Sequence, residues 1–421
     1  MFRNLAYSSI SSATAALLLL LMIVAGRVLG EVEFGKFTFA LMLGGLFETL
    51  MDFGFHQVTV RAVARDRGRA TELLHHTLAI KLAWAIGTLA LLIVTATLLR
   101  RESDVRFACY VIGGSLVFRS YMLTIRGVLI GLERFGWDSV VLIVDRGLLL
   151  VLGVAALLGG YGLRGLTIAF VIARGVAFIA SAALTQARLG GLALRYDRDV
   201  WRDLHATALP LGFFLVVLNL YQYVDSVMVG AMRTDAETGF YGAAFKIYEG
   251  FTYAPLAISS VLTPRLSALF VQDHARHRNV FLKGIAGSAA LGVVVSAVGY
   301  WLATPILVLL FGANFAAATP PFRILCIGLP VVFAIWILHA GAISVDREKL
   351  LLRTGLIGLA VNVALNLYVI PRYGGSGAAF ATVAGELVSA VVLVLGLRTS
   401  FSPGSPPGTT SPRSAASAPA R

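Results

Sequence analysis

Apolar segments long enough to cross a membrane recur along this chain and limit its fold more than any other feature. A bilayer's hydrocarbon core requires about 20 apolar residues of helix. Hydrophobic residues make up 58% of the 421 positions and charged residues only 14%, whereas soluble domains average roughly 45–50% and 25%. The sequence therefore predicts an all-α polytopic membrane protein with about twelve transmembrane helices. The predicted spans are approximately 8–29, 38–60, 76–99, 107–131, 139–159, 165–186, 206–231, 239–263, 281–310, 321–344, 351–370 and 377–397.

The seventh and eighth predicted spans carry charges where a membrane helix ordinarily has none. Between His205 and Arg265 lie Asp225, Lys246 and Glu249. An ionised side chain at the centre of a spanning helix costs about 2.5–3.5 kcal/mol on insertion scales, so such residues usually face a bundle interior or water. This hairpin is therefore predicted to form the wall of an internal cavity. The alternative is that Asp225 and Lys246, at similar predicted depths, only neutralise each other.

The net charge of +13 comes from basic residues placed between the apolar segments rather than on one face of a soluble domain. Nucleic acid is therefore not a predicted partner. Most of the basic residues fall in loops and tails that are internal if the N-terminus is cytoplasmic, so the positive-inside rule predicts that both termini are cytoplasmic. The Ser-, Pro- and Ala-rich tail, 399–421, is predicted to be disordered.

The two halves of the chain repeat each other. The stretch 129–165 recurs as 342–377, where an acidic-arginine pair at 133–134 matches a second pair at 346–347. An offset of six spans gives both halves the same orientation, as in transporters built from parallel repeats with substrate between them. We therefore predict two parallel six-helix repeats around a central cavity. The predicted divisions are a first bundle at 1–186, a cytoplasmic link at 187–205, a second bundle at 206–398 and the cytoplasmic tail at 399–421.

Ionisable residues within the predicted spans must mostly be paired, hydrated or at an interface, because lipid exposure at about 3 kcal/mol each would exceed a fold's net stability. Lys81 and Arg126 lie near cytoplasmic ends, where their side chains are expected to snorkel to the interface. The adjacent Asp145 and Arg146 are expected to find separate partners. The full set is Glu48, Asp52, Lys81, Arg119, Arg126, Asp145, Arg146, Arg174, Asp225, Lys246, Glu249 and Glu386.

Arg119 and Arg174, with Lys246 above them, form a predicted cationic cluster near the midplane. Guanidinium and ammonium groups in this arrangement suit an anionic headgroup such as a phosphate. The neighbouring acidic residues would couple transport to protons or sodium ions, or simply hold the cations in place. The alternative for Arg174 is a structural ion pair with Glu48 or Glu386.

Two patterns of soluble nucleotide-binding proteins are rejected on their context. The GEVEFGK stretch at 30–36 is followed by Phe37, where a P-loop requires Ser or Thr, and GYGLRG at 160–165 follows no strand. Cys109 and Cys326 have no zinc-site or disulfide spacing. The sequence therefore predicts a protein that is not an enzyme and has no cofactor.

The stretch 25–66 resembles the opening signature of the polysaccharide flippase family, an aRxLGxxxFG turn followed by a helix ending in DxGxxxxxxR. The matching residues are Arg27, Leu29, Gly30, Phe34, Gly35, Asp52, Gly54 and Arg61. The GLERFG link at 131–136, two Tyr-Gly turns and LFGANF at 310–315 are also similar to this family. The resemblance extends to about residue 398 and implies the multidrug/oligosaccharidyl-lipid/polysaccharide exporter superfamily, in which two six-helix bundles open alternately.

The resemblance implies translocation of undecaprenyl-diphosphate-linked oligosaccharide to the outer leaflet of the bacterial cytoplasmic membrane. The expected partners are this polyprenyl-diphosphate-linked glycan, membrane lipids, a polysaccharide polymerase and glycosyltransferases. Relatives that flip peptidoglycan precursor usually have fourteen spans, which argues against that substrate. The alternatives are an ion-coupled multidrug antiporter and a non-transporting scaffold for glycan assembly. The candidate substrate-binding residues are Arg119, Arg174, Lys246, Asp225, Glu249, Glu48 and Asp52.

Overall fold

A computed structural model describes the backbone of residues 2–398 and the side chains of 16–187 and 190–398. The predicted disordered tail, 399–421, lies outside the described residues. Within 2–398 all regular secondary structure is helical, which confirms the predicted all-α membrane fold. The helices are α1 (Phe2–Asp52), α2 (Phe55–Arg65), α3 (Ala70–Leu99), α4 (Ser103–Gly131), α5 (Phe135–Leu158), α6 (Gly162–Leu189), α7 (Arg198–Met232), α8 (Asp235–Gln272), α9 (His274–Trp301), α10 (Ala303–Phe311), α11 (Thr319–Ser344) and α12 (Glu348–Leu397).

The first two predicted spans lie within one helix, α1, which is interrupted at Gly30. This residue has φ 71° and ψ 177°, a conformation that glycine adopts without the penalty a Cβ atom would add. Helix α1 ends at Asp52, and the chain resumes as α2 after a break at Phe53 and Gly54. The second span, predicted to run to residue 60, therefore ends earlier than expected.

Helix α12 likewise contains the last two predicted spans and is interrupted at Gly374, where φ is 57°. A Cβ atom at Gly374 would lie 2.2 Å from Oε2 of Glu237, in the first turn of α8. The predicted span at 281–310 is divided between α9 and α10. Among the described residues, nine helices are long and apolar enough to cross a membrane, so the count of twelve crossings stays a prediction.

The predicted cytoplasmic link between the halves is shorter than expected. Helix α6 continues to Leu189 and α7 begins at Arg198, so only residues 190–197 of the predicted 187–205 link are non-helical. Asp197 caps α7: its Oδ1 accepts hydrogen bonds from the backbone N–H groups of Asp199 at 2.8 Å and Val200 at 3.2 Å. These bonds satisfy otherwise free helix N–H groups and lower the pKa of the Asp197 carboxyl.

Helix α1 joins the two halves, because it packs on α4 and α5 of its own half and on α7 and α8 of the other. Gly35 permits the closest approach, since a Cβ atom there would lie 1.7 Å from the carbonyl oxygen of Asp235. Beside it, the Phe34 ring contacts Phe311 and Phe315 at centroid distances of 5.7 and 5.5 Å. The apolar core therefore continues across the boundary between the halves instead of dividing there.

Polar contacts connect the halves at both ends of the bundle. At the end predicted to be external, Arg100 pairs with Asp235, and Arg27 donates to two backbone carbonyls of α10. At the other end, the Trp84 indole N–H donates to Nε2 of His205 at 3.2 Å. The central space lies between these two contact zones. The division of the chain into bundles at 1–186 and 206–398 stays a prediction.

Candidate functional site

A cavity of about 200 Å³ lies between the halves and is lined by residues of α1, α4, α5, α6, α7 and α8. The predicted hairpin contributes Asn219, Tyr223 and Lys246 to its wall. One carboxylate, Glu48, lines the cavity, but the cations outnumber it. The cationic residues in the wall are Arg119, Arg146, Arg174 and Lys246.

Arg119 is held by two carboxylates of its own half. Its Nε donates to Oε1 of Glu48 at 2.6 Å, and its Nη1 donates to Oδ2 of Asp145 at 3.3 Å. The Asp145 side chain is 1% exposed, so the guanidinium supplies the charge that this buried carboxylate needs. Arg119 and Glu48 are both predicted substrate-binding residues. Both line the cavity, and they form an ion pair with each other.

Arg174 has no carboxylate partner among the described residues. Its Nη1 donates to Oγ of Ser115 at 2.7 Å, and its guanidinium lies 5.4 Å from the centroid of the Phe170 ring. The expected alternative, an ion pair with Glu48 or Glu386, is wrong. Glu48 is bound to Arg119, and Glu386 accepts a hydrogen bond from Tyr248 on α8.

Arg146 is a cavity residue that the sequence-based candidate set omitted. Its closest carboxylate oxygen is Oδ2 of the adjacent Asp145, 3.7 Å from Nε. Asp145 has the separate partner that the sequence predicts, Arg119, but Arg146 has no separate carboxylate partner among the described residues. The missed signal was the depth of Arg146 in its span, which is similar to that of Arg119 on the neighbouring helix. The sequence instead predicts separate partners for the adjacent Asp145 and Arg146.

Lys246 pairs within its own helix and not with Asp225. Its Nζ lies 2.7 Å from Oε2 of Glu249, one turn later on α8. Oε1 of Glu249 also accepts from the Gln222 amide at 3.0 Å and from the Tyr223 hydroxyl at 3.2 Å. The alternative, that Asp225 and Lys246 neutralise each other, is wrong because residues three apart on a helix are already neighbours, so Lys246 has a local partner in Glu249.

Asp225 belongs to a second polar cluster, which residues of the second half of the chain form. Its Oδ2 accepts from the hydroxyls of Tyr241 and Thr382, each at 2.6 Å. Nearby on α12, the Glu386 carboxylate accepts from Tyr248. No cation among the described residues contacts either carboxylate, and neither residue lines the cavity. These two acidic residues are therefore separate from the cationic cavity.

Asp52 also lies outside the cavity wall and serves a buried ion pair. Nζ of Lys81 lies 2.5 Å from Oδ1 of Asp52 and also donates to the carbonyl of Ser120 at 3.0 Å. The Lys81 side chain is 0% exposed, so its expected snorkelling is wrong. Arg126 does not snorkel either, because Asp138 binds its Nε at 2.6 Å. In both cases the cationic side chain pairs with an acidic residue of its own half and does not extend to the membrane interface.

Comparison with known protein families shows the family to which this chain belongs. A family model described as "Polysaccharide biosynthesis protein" matches residues 2–270, more than half of the chain. The chain belongs to this polysaccharide biosynthesis family. A second family model, described as "Lipid II flippase MurJ", matches residues 254–413. Both matches agree with the exporter superfamily that the opening signature implied.

Individual relatives of this family member include flippases and multidrug transporters. The probable flippase AglR of Haloferax volcanii is 25% identical over 182 residues, which cover 42% of this chain but only 38% of that protein. A solved structure of the lipid II flippase MurJ in an inward closed conformation aligns with TM-score 0.76 at 15% identity, over 94% of this chain and 88% of that one. An inward-facing multidrug transporter of the MATE family aligns with TM-score 0.77 at 15% identity, over 92% and 94%. At this identity the two structures show a shared fold.

Water access should distinguish the cavity from the second polar cluster. We expect a cysteine at Lys246 to react with a membrane-impermeant thiol reagent in permeabilised cells, because this position lines the cavity. A cysteine at Asp225, which is 1% exposed, should stay unlabelled. Ala244→Cys at a fully buried position is the matched control on α8, and the native Cys109 and Cys326 are buried. Labelling at Asp225 with protection at Lys246 would contradict this assignment.

Within the described residues, no group of three or more His, Cys, Asp or Glu side chains is arranged to hold a metal ion.

Proposed function

We propose that this polysaccharide biosynthesis family member flips undecaprenyl-diphosphate-linked oligosaccharide across the bacterial cytoplasmic membrane, with both termini cytoplasmic. The observation that carries the proposal is the cation-lined cavity between the halves, where Arg119, Arg146, Arg174 and Lys246 meet one lining carboxylate. A phosphate group in hydrocarbon lacks hydration and counter-charge, and buried guanidinium groups replace both. The family match and the related flippases support a lipid-linked glycan as substrate.

Transport requires the halves to separate. The cavity volume of about 200 Å³ is below the roughly 300–1,000 Å³ of pockets that bind drug-sized ligands, so an oligosaccharide does not fit in this conformation. Rocking of the halves would break the contact zone at one end while keeping the other, which exposes the cavity to each side in turn. In this scheme the diphosphate occupies the cavity, the glycan fills the opened space and the polyprenyl chain stays in lipid.

We further propose that Asp225 and Glu386 carry ion coupling, to protons or to sodium ions. Both are buried carboxylates without a cationic partner among the described residues. A buried carboxylate in this state is stabilised by gaining a proton or a cation. Neither residue lines the cationic cavity, so substrate and coupling ion would not compete for the same groups. A polysaccharide polymerase and glycosyltransferases are the proposed functional partners.

The second candidate function is ion-coupled multidrug antiport, which the fold shared with a MATE transporter favours. A cationic drug is disfavoured because the four cations of the cavity wall outnumber the three carboxylates that contact them, Glu48, Asp145 and Glu249. A lipid-linked peptidoglycan precursor is a competing substrate with the same diphosphate chemistry. The match of residues 254–413 to the lipid II flippase model supports this precursor as a substrate.

Reconstituted full-length protein tests the proposed function against antiport. We expect proteoliposomes to flip a fluorescently labelled polyprenyl-diphosphate oligosaccharide, measured as the fraction of label that becomes accessible to an external quencher. The same vesicles should show no ethidium uptake driven by a proton or sodium gradient. Ethidium uptake without lipid flipping would replace the flippase proposal with the antiporter.

A further inference from the structure

The four cations of the cavity are not equivalent, because they differ in how their charge is compensated. Arg119 binds the carboxylates of Glu48 and Asp145, and Lys246 binds that of Glu249. A substrate phosphate that approached Arg119 or Lys246 would have to displace a protein carboxylate already in place. These two cations are therefore poorly placed to receive an anion at low cost.

Arg174 has the opposite character. It is 6% exposed, and its one side-chain hydrogen bond in the described part of the chain goes to the neutral hydroxyl of Ser115. That hydroxyl donates in turn to the carbonyl of Ile112 at 2.6 Å. The buried Nε of Arg174 has no hydrogen-bond partner, although a guanidinium has five N–H donors. A buried charged group at a cavity wall is energetically costly when its N–H donors lack acceptors. A bound ligand that accepts those hydrogen bonds removes the cost.

Arg146 is the second such cation. Its nearest carboxylate oxygen, Oδ2 of Asp145, is 3.7 Å away and already accepts a hydrogen bond from Arg119. Within the described residues Arg146 donates no side-chain hydrogen bond, and 17% of its side chain is exposed. Asp145 is therefore shared between two arginines, and its single charge cannot compensate both of them. Arg146 also lines the cavity together with Arg174.

We propose that Arg146 and Arg174 are the two residues that bind the diphosphate, while Arg119 is a positioning residue held by Glu48 and Asp145. This refinement rests on the proposed function. A diphosphate diester carries two negative charges, and two guanidinium groups without carboxylates of their own match them. Both arginines belong to the first half, Arg146 on α5 and Arg174 on α6, so the diphosphate stays with that half as the second half moves. Lys246 lines the cavity from the second half, where its pair with Glu249 compensates its charge.

Inorganic pyrophosphate serves as the probe, with the purified full-length protein in nanodiscs and binding followed by calorimetry. We expect Arg146→Gln and Arg174→Gln each to weaken pyrophosphate binding by at least about tenfold, the loss of one charge-assisted contact. Arg146→Lys and Arg174→Lys should give intermediate affinities, because Lys keeps the charge but loses the bidentate geometry. Lys246→Gln should weaken binding less than either arginine-to-Gln variant, since its partner Glu249 already compensates its charge. Arg164→Gln, at an exposed pair with Asp104, is the control outside the cavity.

Three results would overturn the assignment: no pyrophosphate binding by the wild type, wild-type affinity in both Gln variants, or an equal loss in Lys246→Gln. The Lys variants keep the test decisive if a Gln variant fails to fold. The flipping assay separates this inference from the proposed function. Lipid flipping that persists in the double variant R146Q/R174Q would reject the arginine assignment alone, whereas pyrophosphate binding without flipping by the wild type would reject the flippase function alone.

Discussion

Replacing Lys81 with Met is expected to remove about 3–5 kcal/mol of folding stability, the usual cost of leaving one partner of a buried ion pair uncompensated. The Lys81 ammonium is 0% exposed and lies 2.5 Å from Asp52, whose side chain is 11% exposed. Met fills a similar volume, so the loss arises from the stranded Asp52 carboxylate, whereas the Ser120 carbonyl still accepts from the Thr124 hydroxyl. Thermal unfolding of the purified protein, followed by size-exclusion fluorescence, measures the effect.

The double variant K81M/D52N should recover most of this stability, because no charge remains buried. Arg69→Gln is a control at an exposed pair, where Arg69 and Glu72 are 51% and 41% exposed. Exposed pairs contribute about 0–1 kcal/mol, so this variant should unfold close to wild type. Wild-type stability of K81M would show that Asp52 and Lys81 do not form the buried pair, and would return Asp52 to the set of substrate-binding candidates.

Arg119→Gln and Arg174→Gln should change the folding stability by very different amounts, although both remove a midplane arginine. Arg119→Gln leaves Glu48 and Asp145 without their main cation, so we expect a loss of about 3–5 kcal/mol and little folded protein. Arg174→Gln removes a buried charge that has no carboxylate partner. Its stability should stay at or slightly above that of the wild type, because the change ends a desolvation cost.

The comparison uses the yield and unfolding temperature of the two variants at matched expression. A partial rescue of Arg119→Gln by Glu48→Gln is expected, since one of the two stranded carboxylates becomes neutral. Equal destabilisation by Arg119→Gln and Arg174→Gln would contradict the division into compensated and uncompensated arginines. It would also remove the structural basis for placing the diphosphate at Arg146 and Arg174.

The sequence was sufficient for the membrane fold because long apolar segments have few structural alternatives in lipid. It also identified charges in the hairpin of α7 and α8, and Lys246 does line the cavity. It could not predict the interruptions of α1 and α12 at Gly30 and Gly374 as bends within continuous helices. The bend at Gly374 lies against Glu237 of α8, a tertiary contact that no local pattern encodes, whereas no atom lies within 4 Å of the Cβ position of Gly30.

Charge pairing was the least predictable part of the site. Depth along a helix can be counted from sequence, and it placed Asp225 and Lys246 near one level, but depth does not determine which way a side chain faces. Lys246 found Glu249 on its own helix, and Asp225 found the Tyr241 and Thr382 hydroxyls. The depth of Arg146 is similar to that of Arg119 and could have added it to the candidates, but depth alone does not show that its side chain reaches the cavity. Partner choice depends on the rotation of packed helices, which is a tertiary property.

The central claim, that the cavity accepts a diphosphate-linked glycan, is tested most directly by comparing two lipids in one flipping assay. Both carry the same polyprenyl chain and the same labelled oligosaccharide, but one is joined through a diphosphate and the other through a neutral ether. We predict that proteoliposomes containing the full-length protein flip the diphosphate lipid and leave the ether lipid in its original leaflet. Equal flipping of the two lipids, or flipping of neither, would contradict the account.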